Sequence, residues 1–297
     1  MLDTYDHTDF AANDLASRLP GPVTVVVPTR NTAGTIAQTV AELRILAGVG
    51  LISQILVVDA DSPDGTAVTA RDAGAEVVSE NSLLPEAGPV LGKGDAMWRS
   101  LEAATGEIVV FVDGDIADFG RHYVTGLLGP LCEDPGKLFV KGSYRRPFRQ
   151  QTSEQPAGGG RVTELTARPL LARTVPELAW FDQPLAGEVA ARRDLLESIP
   201  FFTGYGVEIA MLVEVWDKAG LGAMAQVGLG TKRNAHQSLE SLGGMANEVI
   251  EALSLTLENL GRTDLGSIAA AEGVTGALSV RPPRKPVPHL GSGDCTV

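Results

Sequence analysis

The chain has 297 residues, 44% hydrophobic and 21% charged, with a net charge of −13; this suits one α/β domain with an appended lobe and excludes general nucleic-acid affinity, which needs a basic surface. No apolar run approaches the ~18 residues that span a bilayer, and MLDTYDHTDF lacks the apolar core of a signal peptide. Two cysteines, Cys132 and Cys295, make neither a disulfide framework nor a structural zinc site, so a cytoplasmic protein without membrane or nucleic-acid partners is expected.

Residues 1–20 read as a poorly ordered arm or a short helix. VTVVVP (Val23–Pro28) is short, β-branched and stopped by proline, the pattern of a buried parallel strand. TAGTIAQTVAELRIL follows with helical spacing, and QILVVDADSPDGT is a second strand ending in acids and turn residues. DGTAVTARDAG is helical, with Gly74 its expected C-cap. AEVVS, the helix GKGDAMWRSLEAAT and the strand EIVVFVDGD complete a series of βαβ units, which implies a parallel sheet. Beyond it come the helix FGRHYVTGLLGPL, the strand KLFVKGSYRRPF and a glycine-rich loop, PAGGGRV, that opens a helix. LAGEVAARRDLLESI mixes a short strand with a helix, YGVEIAMLVEVWDKAG is a helix and GAMAQVGLGTK a strand. Helices over about 239–260 and 267–278 follow. The expected organisation is one domain over 21–280, its nucleotide-binding half 21–130 and its acceptor-binding half with helices 131–280. Residues 281–297, rich in Pro and Gly, are an expected disordered tail.

In an open parallel sheet, ligands bind beyond the carboxyl ends of the strands. Three expected strands end there in Pro28-Thr29-Arg30-Asn31, Asp59-Ala60-Asp61 and Asp113-Gly114-Asp115. Two carboxylates one residue apart suit a hard divalent cation, Mg²⁺ or Mn²⁺, held together with a diphosphate. The glycine between them lets a ligand or the backbone approach closely. A single strand-end acid can equally be a helix N-cap. SYRRPFR (143–149) and TKRNAH (231–236) are basic enough to receive a small phosphorylated ligand, or are solvated surface. GLGAMA (220–225) runs from a helix into a strand, the reverse of a dinucleotide fingerprint, and GPVLGKGD lacks Walker spacing. Of the histidines, His7 and His289 fall in the terminal arms, His122 lies in a helix, and His236 is the site candidate.

From Val23 to Met245, in order, VVVPTRN, ILVVDADSPDGT, GAEVVSE, LGKGDAMWRSL, IVVFVDGD, YRRP, GGGRVTEL, ARPLL, QPLAGE, PFFTGYGVEI and AQVGLG occur. This series resembles the retaining GT-A glycosyltransferases of the actinobacterial glucosyl-3-phosphoglycerate synthase family and their mannosyl relatives. The resemblance implies a GT-A fold, a mostly parallel Rossmann-like sheet flanked by helices with a C-terminal helical extension, and an enzyme that takes its sugar from a nucleoside diphosphate. It implies that Pro28, Thr29, Arg30, Asn31, Asp59, Lys93, Asp113, Gly114, Gly187 and Glu188 meet the nucleotide-sugar. Asp115 is then the direct metal ligand. Gly160, Arg161 and Thr163 hold the acceptor's anionic group, and a glycine-rich turn opening a helix beside an arginine is a sound anion cradle. The Leu185 carbonyl lies near the reacting centre, and Glu208 faces donor or acceptor hydroxyls, so Leu185, Glu208 and Arg161 are the catalytic candidates. A homodimer is also implied.

The chain departs from the family at Thr32, where an acid is usual, and at Ala60, where serine is usual. Most notably, Lys232-x-Asn234-x-His236 stands where the family has Arg-x-His-x-Asn. Asn234 or His236 is then the further metal ligand, and Lys232, Asn234 and His236 form the acceptor end. This exchange favours transfer from a GDP- or UDP-sugar to a small polar or anionic acceptor other than the family's usual one, in a specialised pathway. Sulfur glycosylation of ergothioneine with a GDP-octose in lincosamide antibiotic assembly is a precedent. The alternatives are a glucosyl-3-phosphoglycerate synthase and a non-catalytic nucleotide-sugar binder.

Overall fold

A computed structural model describes residues 1–150, 153–155, 159–233, 238–262 and 278–285. In chain order its strands and helices are β1 (Asp3–Asp6), α1 (Ala12–Ala16), β2 (Val23–Thr29), α2 (Ile36–Gly48), β3 (Gln54–Asp59), α3 (Thr66–Ala73), β4 (Glu76–Ser79), α4 (Lys93–Ala103), β5 (Ile108–Phe111) and α5 (His122–Glu133). There follow β6 (Phe139–Arg145), β7 (Phe148–Gln150), β8 (Ser153–Gln155), α6 (Arg168–Thr174), β9 (Val189–Arg192), α7 (Arg193–Glu197), β10 (Phe201–Phe202), α8 (Val207–Ala219), β11 (Met224–Thr231), α9 (Leu239–Asn259) and β12 (Val280–Arg281).

Eight strands form one sheet in the order β1-β11-β6-β9-β5-β2-β3-β4. All run in one direction except β9, which is antiparallel to both β5 and β6. The sheet is covered on both faces, so its central strands read as unbroken apolar runs. Alternate residues divide between two cores. Val26, Val109 and Phe111 point to one with Met97, Leu212 and Leu253, from α4, α8 and α9. Val25, Val27 and Val110 point to the other with Val40, Leu43 and Leu127, from α2 and α5. The helices were legible for the same reason: in α2, Ile36, Val40, Leu43 and Leu46 are the fully buried face. Gly74 takes up a left-handed conformation, and its N–H caps α3 on the Ala70 and Arg71 carbonyls.

Two expectations are corrected. The N-terminal arm holds the short helix expected there, α1, but it also begins as an edge strand: β1 pairs parallel with β11, from Asp3 with Ala225 to Asp6 with Gly228. It is anchored by buried Leu2, Phe10 and Leu15 and by an ion pair between Lys137 and Asp3. The tail expected from 281 begins as structure instead, since β12 pairs antiparallel with β10 and the residues up to Lys285 pack on α4 and α7. The second C-terminal helix expected over 267–278 falls almost wholly outside the described residues. No helix among the described residues is long and apolar enough to cross a membrane.

Candidate active site

The strand-end groups gather where the topology requires, past the carboxyl ends of β2, β3 and β5, but they do different work. Asp59 is a staple: buried, it accepts from Thr29 Oγ1 at 3.2 Å and from the Ser62 N–H at 2.8 Å. Asp61 accepts from Asn81 Nδ2 at 2.7 Å. Asn31, at φ +56°, donates its N–H to Ser62 Oγ at 2.9 Å, so the two loops lock each other. Pro28 lies in β2 opposite Val58. The Arg30 side chain is 70% exposed at the rim, 3.8 Å from Glu80. Thr32 is buried, its N–H on Thr66 Oγ1 and its own hydroxyl without a partner among the described residues.

Asp113 is the centre of the arrangement. Lys93 Nζ donates to its Oδ1 at 2.7 Å and Lys232 Nζ to its Oδ2 at 2.6 Å. Lys93 also donates to Glu208 Oε1 at 2.8 Å, and Lys232 also pairs with Glu188. Four elements meet here: Lys93 opens α4, Asp113 follows β5, Glu208 sits in the first turn of α8, and Lys232 follows β11. Burial raises the Asp113 carboxyl, but Lys232 and Lys93 outweigh it and hold it well below the ordinary range. Burial likewise works against both ammonium groups, and their carboxylate partners hold each well above the usual lysine value. Glu188 has no exposed surface; burial raises its carboxyl although Lys232 opposes, and its Oε2 lacks a partner among the described residues.

The small residues are fixed by this packing. A Cβ on Gly114 would lie 2.7 Å from Thr29 Cγ2, so the residue between the two acids must be glycine. A Cβ on Gly187 would lie 2.5 Å from Lys93 Nζ and 2.6 Å from Asp113 Oδ1. Leu185, half-buried, precedes it in a turn closed by the Ala186 N–H on the Gln183 carbonyl at 2.9 Å.

Lys232, expected at the acceptor, is committed instead to Asp113 and Glu188 and is 2% exposed. Asn234 and His236 lie outside the described residues. Asp115 is exposed at the mouth, one residue from the lysine-clamped Asp113. Among the described residues no group of three or more His, Cys, Asp and Glu side chains stands together. One exposed carboxylate next to a carboxylate held ionised fits a hard cation that a diphosphate completes, because such ions take one or two protein carboxylates and fill their shell with phosphate and water.

The segment expected to hold the acceptor packs near Gln183, in the turn that leads to Leu185. Gly160, at φ +71°, sits near Gln183, and the Glu164 N–H returns to its carbonyl at 3.0 Å. Arg161 and Val162 then start a helix that widens to a π-turn over Thr163–Ala167 before α6. Such π-turns recur at functional sites. Thr163 is buried in it. Arg146 closes one side: the Gly159 N–H donates to its carbonyl at 3.0 Å, and its guanidinium lies 6.0 Å from the Tyr144 ring.

Sequence reasoning missed three groups. Lys141, in β6, has no exposed surface and donates to the Ala186 carbonyl at 2.8 Å, beneath the Leu185 turn. Burial pushes it down to about 8, with Glu208 the chief opposing charge. Its signal was a lysine inside the otherwise apolar run LFVKG. Tyr144 lies 5.1 Å from Lys232 Nζ, ring centre to nitrogen. The third is Asp95 with Arg99 and Arg281.

A family model, Glycosyl transferase family 2, matches residues 24–177. A glucosyl-3-phosphoglycerate synthase of Mycolicibacterium smegmatis is 44% identical over 264 residues, 89% of this chain and 86% of the relative. The chain belongs to the glucosyl-3-phosphoglycerate synthase family of GT-A glycosyltransferases. A mannosyl-3-phosphoglycerate synthase of Rubrobacter xylanophilus superposes with a TM-score of 0.85 at 43% identity, covering 95% of this chain and 96% of the other. The Mycobacterium tuberculosis glucosyl-3-phosphoglycerate synthase with Mn²⁺, uridine diphosphate and glucosyl-3-phosphoglycerate gives 0.81 at 39%, covering 96% and 99%. The expected fold is therefore the observed one, and the chain is a nucleotide-sugar-dependent transferase.

Proposed function

We propose that the protein moves a sugar from a nucleoside diphosphate to the hydroxyl of 3-phosphoglycerate, with Mg²⁺ or Mn²⁺. The observation that carries this is the Lys93–Asp113–Lys232 clamp beside exposed Asp115; in this reading the glycine-rich turn at Gly160–Thr163, which packs near Gln183, receives the acceptor's anionic group. Relatives matching over nearly the whole chain, both glucosyl- and mannosyl-3-phosphoglycerate synthases, support the phosphoglycerate acceptor. Nothing in the comparisons favours a specialised-metabolite acceptor such as ergothioneine.

In this reading Asp115 holds the ion, with Asn234 or His236 completing its protein ligands. When bound, the ion supplies neutralising charge for the leaving diphosphate. Lys93 donates to the donor from the start of α4, and Arg161 and Thr163 orient the acceptor's phosphate or carboxylate. Lys232 holds Asp113 ionised and turned toward the mouth. Glu208 is already tied to Lys93 and is 7% exposed, which favours a positioning role over that of a covalent nucleophile. Front-face transfer follows: the anomeric C–O bond to the diphosphate breaks, the acceptor oxygen forms its bond on the same face, and its proton passes to the diphosphate. Trapping a glycosyl adduct on Glu208 would overturn that step.

The test is turnover of UDP-glucose, GDP-glucose and GDP-mannose with 3-phosphoglycerate and Mg²⁺ or Mn²⁺, following the glycosylated acid directly. Acceptor-dependent product is expected. Nucleotide-sugar binding with no product from 3-phosphoglycerate, but product from another acceptor, would sink the proposal.

A further inference from the structure

The donor side depends on two residues carried by separate elements, Lys93 on α4 and Glu208 on α8. A third element joins their carriers. Strand β12 pairs with β10, and next to that pairing the Thr203 N–H donates to the Ser279 carbonyl at 3.0 Å while the Ser279 N–H donates to Thr203 Oγ1 at 3.1 Å. Thr203 leads through the turn Gly204–Gly206 into α8 and Glu208. Within that turn the Gly204 N–H reaches back to the Leu91 carbonyl at 3.2 Å, two residues before Lys93.

The side chain of Arg281, in β12, makes the complementary connection. It donates to Asp95 from Nε at 2.8 Å and from Nη2 at 2.7 Å, a bidentate pair, and Nη1 donates to the Ala87 carbonyl at 2.8 Å. Asp95 is fully buried in the first turn of α4, and its Oδ2 also accepts from the Leu91 N–H at 2.9 Å. Arg99, fully buried one turn on, pairs with Asp95 and donates to the carbonyls of Leu83, Leu84 and Gly88. Asp95, Arg99 and Arg281 thus fix the whole of loop 83–92 from inside. A buried arginine that satisfies a carboxylate and a backbone carbonyl together holds its partners in one geometry, because the planar fork has little freedom. Arg281 itself touches none of Lys93, Asp113 or Glu208 through any of these bonds.

We propose that Arg281 is a positioning residue for the donor side: from β12 it ties loop 83–92 and the start of α4 to the turn that carries Glu208, and so sets where Lys93 stands. The proposal rests on the reading of Lys93 as a donor contact. It sharpens the role of a segment that the sequence marked as a disordered tail.

A control lies three residues along the same strap. Arg284 pairs with Glu102, near the far end of α4, and lies 5.7 Å from the Trp98 ring, which Arg281 also faces at 5.5 Å. The experiment is calorimetric binding of UDP or GDP, whichever the parent binds, to the full chain in Mn²⁺. Parent, Arg281→Gln, Arg281→Lys and Arg284→Gln are compared, with Tm measured for each. Arg281→Gln should weaken nucleotide binding about tenfold, the scale of losing one well-placed charge-assisted hydrogen bond from Lys93. Arg284→Gln should lower Tm but change affinity less than twofold. Arg281→Lys, which keeps one bond to Asp95, should fall between parent and Arg281→Gln. If Arg281→Gln does not fold, the lysine variant carries the comparison. Parent-like affinity in the Arg281 variants, or equal losses at Arg281 and Arg284, would overturn the proposal. Nucleotide binding is read without an acceptor, so failure of the parent to glycosylate 3-phosphoglycerate would remove the proposed acceptor and leave the Arg281–Arg284 contrast to decide this point.

Discussion

Lys93 and Arg161 are both cations at the start of a helix. Their settings differ. The Lys93 ammonium sits between two carboxylates, on a helix whose first turn is braced by buried Asp95. Arg161 is half-buried after a glycine in the left-handed region and leads into a π-turn rather than a regular helix. The proposed donor side is thus held by ion pairs between separate elements. The proposed acceptor side is built largely from backbone and a few cations, so on this reading changes in acceptor need few substitutions, while changes to the clamp disturb the fold.

The sharpest break between the two sides is Asp115→Asn. It should lower turnover on the order of 10³-fold, the scale of losing charge stabilisation at the leaving group, and remove the response to Mn²⁺ in a nucleotide-binding titration, while Tm stays near the parent's. Next is Lys232→Met, which leaves Asp113 and buried Glu188 short of a partner. Denaturant unfolding should show a loss of about 3–5 kcal/mol, as for one partner removed from a buried pair. A parent-like stability would mean that the clamp is not rigid. On the acceptor side, Arg161→Lys should raise the KM for 3-phosphoglycerate roughly tenfold, because lysine cannot reproduce bidentate anion binding. Donor affinity and Tm should hold. A matching fall in donor affinity would erase the division of labour.

The smallest effect concerns the end of α8 away from Glu208. Burial, with Asp217 adding to it and Lys218 opposing, pushes the Glu214 carboxyl up to about 7 from an ordinary 4.5. The folded chain therefore keeps a proton that the unfolded chain releases between pH 4.5 and 7, and stability contributed by this group below 4.5 is lost as pH rises through 7. Glu214→Gln should then be more stable than the parent at pH 8, by roughly 1–2 kcal/mol once the full shift is discounted for solvent screening at this partly buried group, with the advantage vanishing near pH 4.5. An advantage that did not change with pH would place its cause outside this titration.

Much of the proposed donor side was legible because β3 and β5 each ended in their own acids, and β2, β3 and β5 announce themselves by apolar runs that only a sheet covered on both faces allows. What escaped depended on contacts with no local trace. Lys232 read as an acceptor cation because nothing in TKRNAH says that the side chain turns inward to Asp113, 119 residues away. Arg281 and Asp95 stand 186 residues apart, with no spacing to connect them. Strand β1, DTYD, is too short and too polar to alternate visibly, and it exists because β11 offers an open edge. Asp59, a candidate for the nucleotide-sugar, also ties the loop that follows it, since strand-end acids satisfy the N–H groups of the next turn; the sequence shows the acid but not that second role.

Gly187 carries a lesson for redesign. Its missing side chain is the space that the Lys93–Asp113 contact fills. A methyl group there would stand 2.5 Å from the Lys93 ammonium and 2.6 Å from the Asp113 carboxylate, so one of the two must shift to admit it. Positions 93, 113 and 187, drawn from three separate stretches of chain, share one space, and a library that varies all three together samples donor-side packings that a single change at 187 reaches only by displacing the clamp.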